Sequence, residues 1–185
     1  LADARNQGCD TLLTYGGIQS NHCRATAALG ARTGMHVRVL IRGEQPDTPP
    51  DGNLLLDHLF GAEVTHFPSD EFIKNKKQIL EDAMEAMRKE GRKPYYFPVG
   101  GSVPVAMWAY VRCLEEIRDQ AAAEGLKVRH VVSACGSGGT AAGLALGRIL
   151  LGWEDLTVWA VAVTQTEIFW KSDIRNLLSE TNKKY

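Results

Sequence analysis

The chain has 185 residues, of which 44% are hydrophobic and 23% charged, and its formal net charge is −1. That balance supports a real hydrophobic core and excludes both a basic nucleic-acid footprint and a polybasic membrane face. No apolar run approaches the roughly 20 residues that cross a bilayer, so the expected partner is a small molecule, with neither nucleic acid nor membrane involved.

Four cysteines, Cys9, Cys23, Cys113 and Cys135, show no CxxC spacing and read as reduced thiols of a cytosol-like, cytoplasmic compartment, with no metal site expected. The first residue is Leu, and Leu1 to Gly8 resembles the last turns of a helix, so the sequence reads as part of a longer protein.

From there strands and helices alternate. Thr11 to Tyr15 forms a short apolar strand closed by Gly16-Gly17, and Gly16 to His22, GGIQSNH, turns into a helix that Ser20 is suited to cap. His36 to Ile41 is a second strand, and the Pro-, Asp- and Gly-rich segment from Arg42 to Asp51 is a loop. Asn53 to Phe60 is a helix ended by Gly61, and Glu63 to Phe67 is a third strand. Ile79, Leu80, Ala83, Met84 and Met87 recur at helical spacing, which predicts an amphipathic helix over Glu71 to Glu90 with Lys74, Lys76 and Lys77 on its solvated face.

Tyr95 to Pro98 reads as a fourth strand running into Val99-Gly100-Gly101-Ser102, and Met107, Val111, Leu114 and Ile117 mark the next helix. Val131 to Leu144, VVSACGSGGTAAGL, is a strand, a glycine loop and a helix opened by Thr140, and Thr157 to Val163 is a sixth strand. Right-handed βαβ crossovers make this an α/β fold with one or two parallel sheets and helices packed on both faces. The stretch Pro98 to Gly101 is the expected hinge between a smaller lobe, residues 1–99, which carries GGIQSNH, and part of a larger lobe, residues 100–185. All three glycine turns follow strand carboxyl ends, where ligands of such sheets gather, so they are expected to face one cleft.

The Gly136 to Thr140 loop is the strongest single signal. Glycines let backbone N–H groups close on an anion, and a helix start adds free amides and a positive dipole end. A tight turn that binds nothing is the plainer alternative. The loop lacks the Lys of a Walker motif, and Glu154 and Asp155 precede the next strand, where a dinucleotide fingerprint needs its acidic residue at that strand's end. Cys135 beside this loop is either a thiol activated by the helix start or a buried, inert one.

GGIQSNHCRATAALGARTG, GNLLLDHLFGAEV, PVGGSVP and SACGSGGTAAGL, in this order and covering the chain to about Val163, resemble the D-cysteine desulfhydrase and 1-aminocyclopropane-1-carboxylate deaminase family. The resemblance implies a pyridoxal phosphate enzyme of the tryptophan synthase β-subunit-like fold (fold type II), active as a homodimer. It implies that Gly136, Ser137, Gly138, Gly139 and Thr140 hold the cofactor phosphate and that Asn21 bonds the phenolic oxygen of the pyridine ring. Ser20, with Gln19, Asn21 and His22, would receive the substrate carboxylate, and Ser20 is the one catalytic candidate within the chain. His22 is expected to stack in a wall or bond a backbone carbonyl before it serves as a proton carrier, and Tyr15 to belong to the core.

Two features depart from the family. Its Schiff-base lysine lies in a Gly-Asn-Lys segment upstream of GGxQSNH, yet no Lys precedes Gly16, and Lys74, Lys93 and Lys127 match no such motif. After Val163 the likeness fades and the downstream segments that meet the pyridine nitrogen are missing, so the chain reads as the middle of a longer enzyme, a natural truncated paralogue being the alternative. The expected chemistry is conversion of D-cysteine to pyruvate, sulfide and ammonia, a preference that rests on GNLLLDHLFGAEV. Deamination of 1-aminocyclopropane-1-carboxylate is the alternative. A non-catalytic phosphate- or cofactor-binding module without the lysine is the rival from another class, and a purely structural fragment a third.

Overall fold

The computed structural model describes residues 1–185. Its elements are α1 (Ala2–Asn6), β1 (Thr11–Gly17), α2 (Asn21–Thr33), β2 (His36–Arg42), α3 (Gly52–Leu59), β3 (Glu63–Phe67), α4 (Ser69–Lys89), β4 (Pro94–Tyr96), α5 (Pro104–Ala123), β5 (His130–Cys135), α6 (Gly139–Leu150), β6 (Thr157–Ala162) and α7 (Glu167–Lys184). A single 3-10 turn, Val99–Gly101, stands between β4 and α5. The strands form two parallel sheets, ordered β3-β2-β1-β4 and β5-β6. The chain divides into two compact units, Leu1–Val99 and Gly100–Tyr185.

In the first unit the period-2 alternation of the strands sorts side chains between two cores. Leu12, Val37, Val39 and Ile41 face Cys23 and Ala27 of α2 and Leu54 of α3, whereas Leu13 and Leu40 face Phe72, Leu80 and Met87 of α4. The sheet is thus covered on both sides. Lys74, Lys76 and Lys77 are exposed, as the helical spacing predicts. β4 ends at Tyr96, two residues before the predicted limit, because Pro98 has no N–H to continue a ladder, although the Phe97 amide still donates to the Leu13 carbonyl at 3.2 Å.

The second unit is built differently. α5, α6 and α7 pack together, with Met107, Ala142 and Leu177 in one core and Leu114, Leu144 and Leu156 in another. α6 lies against α5 through Gly143 and Gly147: a Cβ added at Gly143 would sit 2.9 Å from the Met107 carbonyl oxygen, and one at Gly147 would sit 3.1 Å from the Val111 Cα. Only one face of the β5–β6 pair is covered. Val132, Trp159 and Val161 on the other face are exposed, at 66%, 53% and 53%. α7, capped by Thr166 and 18 residues long, occupies the region after β6 where the sequence likeness fades.

Candidate functional site: two helix starts that follow strands

The β1–α2 junction is made by a close approach and a cap. Gly16 lets the chain double back on itself, since a Cβ there would meet Ser20 Oγ at 2.5 Å and Cys23 Sγ at 2.7 Å. Ser20 then caps α2 as predicted: its Oγ accepts from the Cys23 amide at 3.2 Å. The cap satisfies one of the free amides at this helix start and leaves those of Asn21 and His22. Because a hydroxyl both donates and accepts, Ser20 keeps its hydrogen for a further acceptor.

The segment before the cap is braced by the start of α3. Gln19 Oε1 accepts from the Asn53 amide at 2.8 Å, and Gln19 Nε2 donates to Asp51 Oδ1 at 2.9 Å. Asn53 Nδ2 donates to the Gln19 carbonyl at 2.9 Å and to Asn21 Oδ1 at 3.0 Å, and Arg24 Nη2 donates to the same Asn21 oxygen at 3.2 Å. Both ends of the Gln19 amide are therefore engaged within the chain. Gln19 thereby ties the segment before the cap to the start of α3.

His22 is turned inward. Its ring meets Phe97 edge-on with centroids 5.4 Å apart, and its Nε2 lies 2.7 Å from Thr14 Oγ1. The Thr14 hydroxyl donates its one hydrogen to the Phe97 carbonyl at 2.9 Å, so His22 Nε2 carries the proton and is the donor to Thr14. Burial pushes the imidazole below its ordinary pKa, which keeps it neutral near pH 7. The side chain stacks as expected but bonds a hydroxyl rather than a backbone carbonyl. Tyr15 packs on Phe72 with ring centroids 5.2 Å apart, in keeping with the core placement read from the sequence.

One residue of this region escaped sequence reasoning. Asp57 of α3 is wholly buried, and neither of its carboxylate oxygens has a hydrogen-bond partner. Desolvation raises its pKa to about 6, against the opposing pull of the Arg24 charge. Arg24 Nε is likewise buried without a partner. The only signal in the sequence is an acid set among leucines, Leu54-Leu55-Leu56-Asp57.

The β5–α6 junction carries no side-chain cap. Gly138 occupies the N-cap position with φ 76°, a left-handed conformation that costs a side-chain-bearing residue about 1–2 kcal/mol. The first intrahelical bond at this end runs from the Ala142 amide to the Gly138 carbonyl at 2.9 Å, so the amides of Gly139, Thr140 and Ala141 have no helical partner. The flanks are fixed: Thr164 Oγ1 donates to the Gly136 carbonyl at 3.2 Å, and Ser102 Oγ donates to Ser137 Oγ at 3.0 Å. The Gly100–Ser102 turn thus abuts the loop, and a Cβ at Gly139 would lie 2.7 Å from Ser102 Oγ. Asp173 of α7 comes close as well, its Oδ2 lying 3.3 Å from where a Gly138 Cβ would be.

Three amides at the positive end of a 12-residue helix, with no side-chain cap accepting from them, suit a small dianion such as a phosphate ester, although Asp173 and Trp170 of α7 lie against Gly138. Cys135, next to the loop, is 2% exposed, and burial raises its thiol pKa, so the structure favours the inert alternative.

A bifunctional D-cysteine desulfhydrase/1-aminocyclopropane-1-carboxylate deaminase, mitochondrial, of Arabidopsis thaliana is 41% identical over 157 residues, covering 81% of this chain and 39% of the relative. A D-cysteine desulfhydrase of Serratia proteamaculans is 41% identical over 150 residues, covering 79% of this chain and 44% of the relative. The crystal structure of an ACC deaminase homologue superimposes with a TM-score of 0.82 at 34% identity, covering 98% of this chain and 53% of that one. The chain therefore spans about half the length of the proteins it matches, or less. The fold is that of the type II pyridoxal phosphate enzymes. Residues 1–182 match the family described as pyridoxal-phosphate dependent enzyme, and the chain belongs to that family.

Proposed function

We propose that the protein carrying this chain is a pyridoxal phosphate-dependent lyase that converts D-cysteine and one water to pyruvate, sulfide and ammonia. Deamination of 1-aminocyclopropane-1-carboxylate is the alternative, supported by the names of the same relatives. The observation that carries the reading is the uncapped helix start at Gly138, whose three free amides fit the phosphate of the family's cofactor.

When bound, pyridoxal phosphate supplies an electron sink for negative charge developing on the substrate. The chain's own residues bind and orient. The amides of Gly139, Thr140 and Ala141, with Gly136 and Ser137 shaping the loop before them, hold the phosphate. Ser20, through the hydroxyl hydrogen its cap leaves free, and the amides of Asn21 and His22 receive the substrate carboxylate. Asn21 donates from Nδ2 to the phenolic oxygen. The His22 ring, neutral and donating to Thr14, supports this wall rather than moving a proton.

A second reading is a module that binds the cofactor through the α6 amides without covalent attachment. A cytoplasmic homodimer completes the first reading. Intact mass of the protein isolated from its source, before and after borohydride reduction with pyridoxal phosphate, separates the two. One phosphopyridoxyl group gained on a lysine supports the enzyme, and reversible binding with no mass gain supports the module. Sulfide release from D-cysteine against 2-oxobutanoate release from 1-aminocyclopropane-1-carboxylate then decides the substrate.

A further inference from the structure

Asn21 has one amide group and two ways to present it, and only one of them can donate to a phenolic oxygen. The direction is set by chemistry that admits no exchange of oxygen and nitrogen. The Gln19 backbone carbonyl can only accept, so the Asn53 atom 2.9 Å from it is Nδ2, and the same Nδ2 meets Asn21 at 3.0 Å. Arg24 can only donate, and its Nη2 reaches the same Asn21 atom at 3.2 Å. Two donors converging on one atom require an acceptor there, which is Oδ1. Nδ2 of Asn21, an exposed residue, is left as a donor with no partner in the chain.

We infer that Arg24 and Asn53 are positioning residues that lock the Asn21 side-chain amide with its nitrogen outward, so that it offers a hydrogen to an anionic ring oxygen of the ligand. Gln19 completes the device by tying Asn53 in place through the Asn53 amide. A free asparagine amide would spend part of its time with the oxygen outward, where it would repel a phenolate. The lock removes that state before the ligand arrives, which raises affinity without adding a contact.

The inference rests on the cofactor reading above, and the test separates the two. Pyridoxal phosphate and its 3-deoxy analogue, which lacks only the phenolic oxygen, are titrated into the native-length protein, and the ratio of the two dissociation constants is the readout. In the wild type the parent compound is expected to bind about tenfold or more tighter than the analogue. Asn53→Ala and Arg24→Met should each lower that ratio about three- to fivefold while leaving affinity for the analogue within about twofold of wild type. Arg24→Lys, which keeps a cationic donor, should recover most of the ratio.

Affinity for the analogue serves as the control for folding, since a loop that collapsed would weaken both ligands together. A wild-type ratio that neither variant changes overturns the positioning role and leaves the cofactor reading intact. A wild-type ratio near one, with both ligands bound, overturns the inference by removing Asn21 from the ring oxygen. Failure of the wild type to bind either ligand overturns both.

Discussion

The two helix starts solve the same backbone problem in opposite ways. At α2 the chain satisfies an orphan amide itself, through Ser20, and crowds the junction with side chains from α3. At α6 it satisfies none of the first three, places a left-handed glycine at the cap and fixes only the flanks. On the proposed reading the difference is one of ligand charge: a phosphate dianion needs several amides at once and leaves no room for a cap, whereas a single carboxylate can share a helix start with one. At Asn21 neighbouring donors fix which atom of the side-chain amide stays free; at α6 a left-handed glycine sets the backbone that carries the free amides.

The largest effect is expected away from the ligand, at Asp57, where the braced junction contains a buried carboxylate. Its pKa rises from 3.8 to about 6 on folding, so the folded state keeps a proton that the unfolded state has released between about pH 4 and pH 6. Stability from this group therefore falls as pH rises through that window, and above it the ionised form costs up to about 3 kcal/mol. Asp57→Asn should remove this slope, which denaturant unfolding at pH 4 and pH 7 would measure; parallel pH profiles for wild type and variant would contradict it.

Next comes Gly139→Val, which closes the open junction. Its Cβ falls 2.7 Å from Ser102 Oγ and 3.3 Å from the Ser102 Cα, so the Gly100–Ser102 turn or the loop must move. A loss of about a hundredfold in pyridoxal phosphate affinity by calorimetry is expected, equivalent to about 2.7 kcal/mol. An unchanged affinity would mean that the α6 amides do not hold the phosphate. The smallest effect belongs to Ser20→Ala, which removes the cap of α2 at a cost of about 1 kcal/mol in unfolding free energy. The same change should weaken binding of carboxylate-bearing substrates and leave cofactor affinity nearly untouched, the opposite pattern to Gly139→Val.

The open junction was readable from the sequence because everything it needs is local: a strand, glycines and a helix in 14 consecutive residues, Val131 to Leu144. The Ser20 cap was readable for the same reason. The lock on Asn21 was not, since Asn53 lies 32 residues away and nothing in its local sequence distinguishes it from any asparagine at a helix start. The bracing of Gln19 was hidden on the same grounds, since its partners, Asp51 and Asn53, are supplied only by the fold. Asp57 left only the faint signal of an acid among leucines, and the packing of α2 against α3 reveals that it is buried. The bare face of β5–β6 departs from the expectation of helices on both faces: Val132, Trp159 and Val161 are exposed there.

The seating of α6 on α5 has a consequence for the loop at its tip. Gly139, Gly143 and Gly147 recur every four residues along one line of the helix, and the last two press backbone against backbone. That line spans about 12 Å, so α6 cannot roll or slide by a fraction of a turn without a steric collision along its length. Its three leading amides are the end of a braced rod, and the entropy of holding them in place is lost once, when the protein folds, rather than each time an anion arrives.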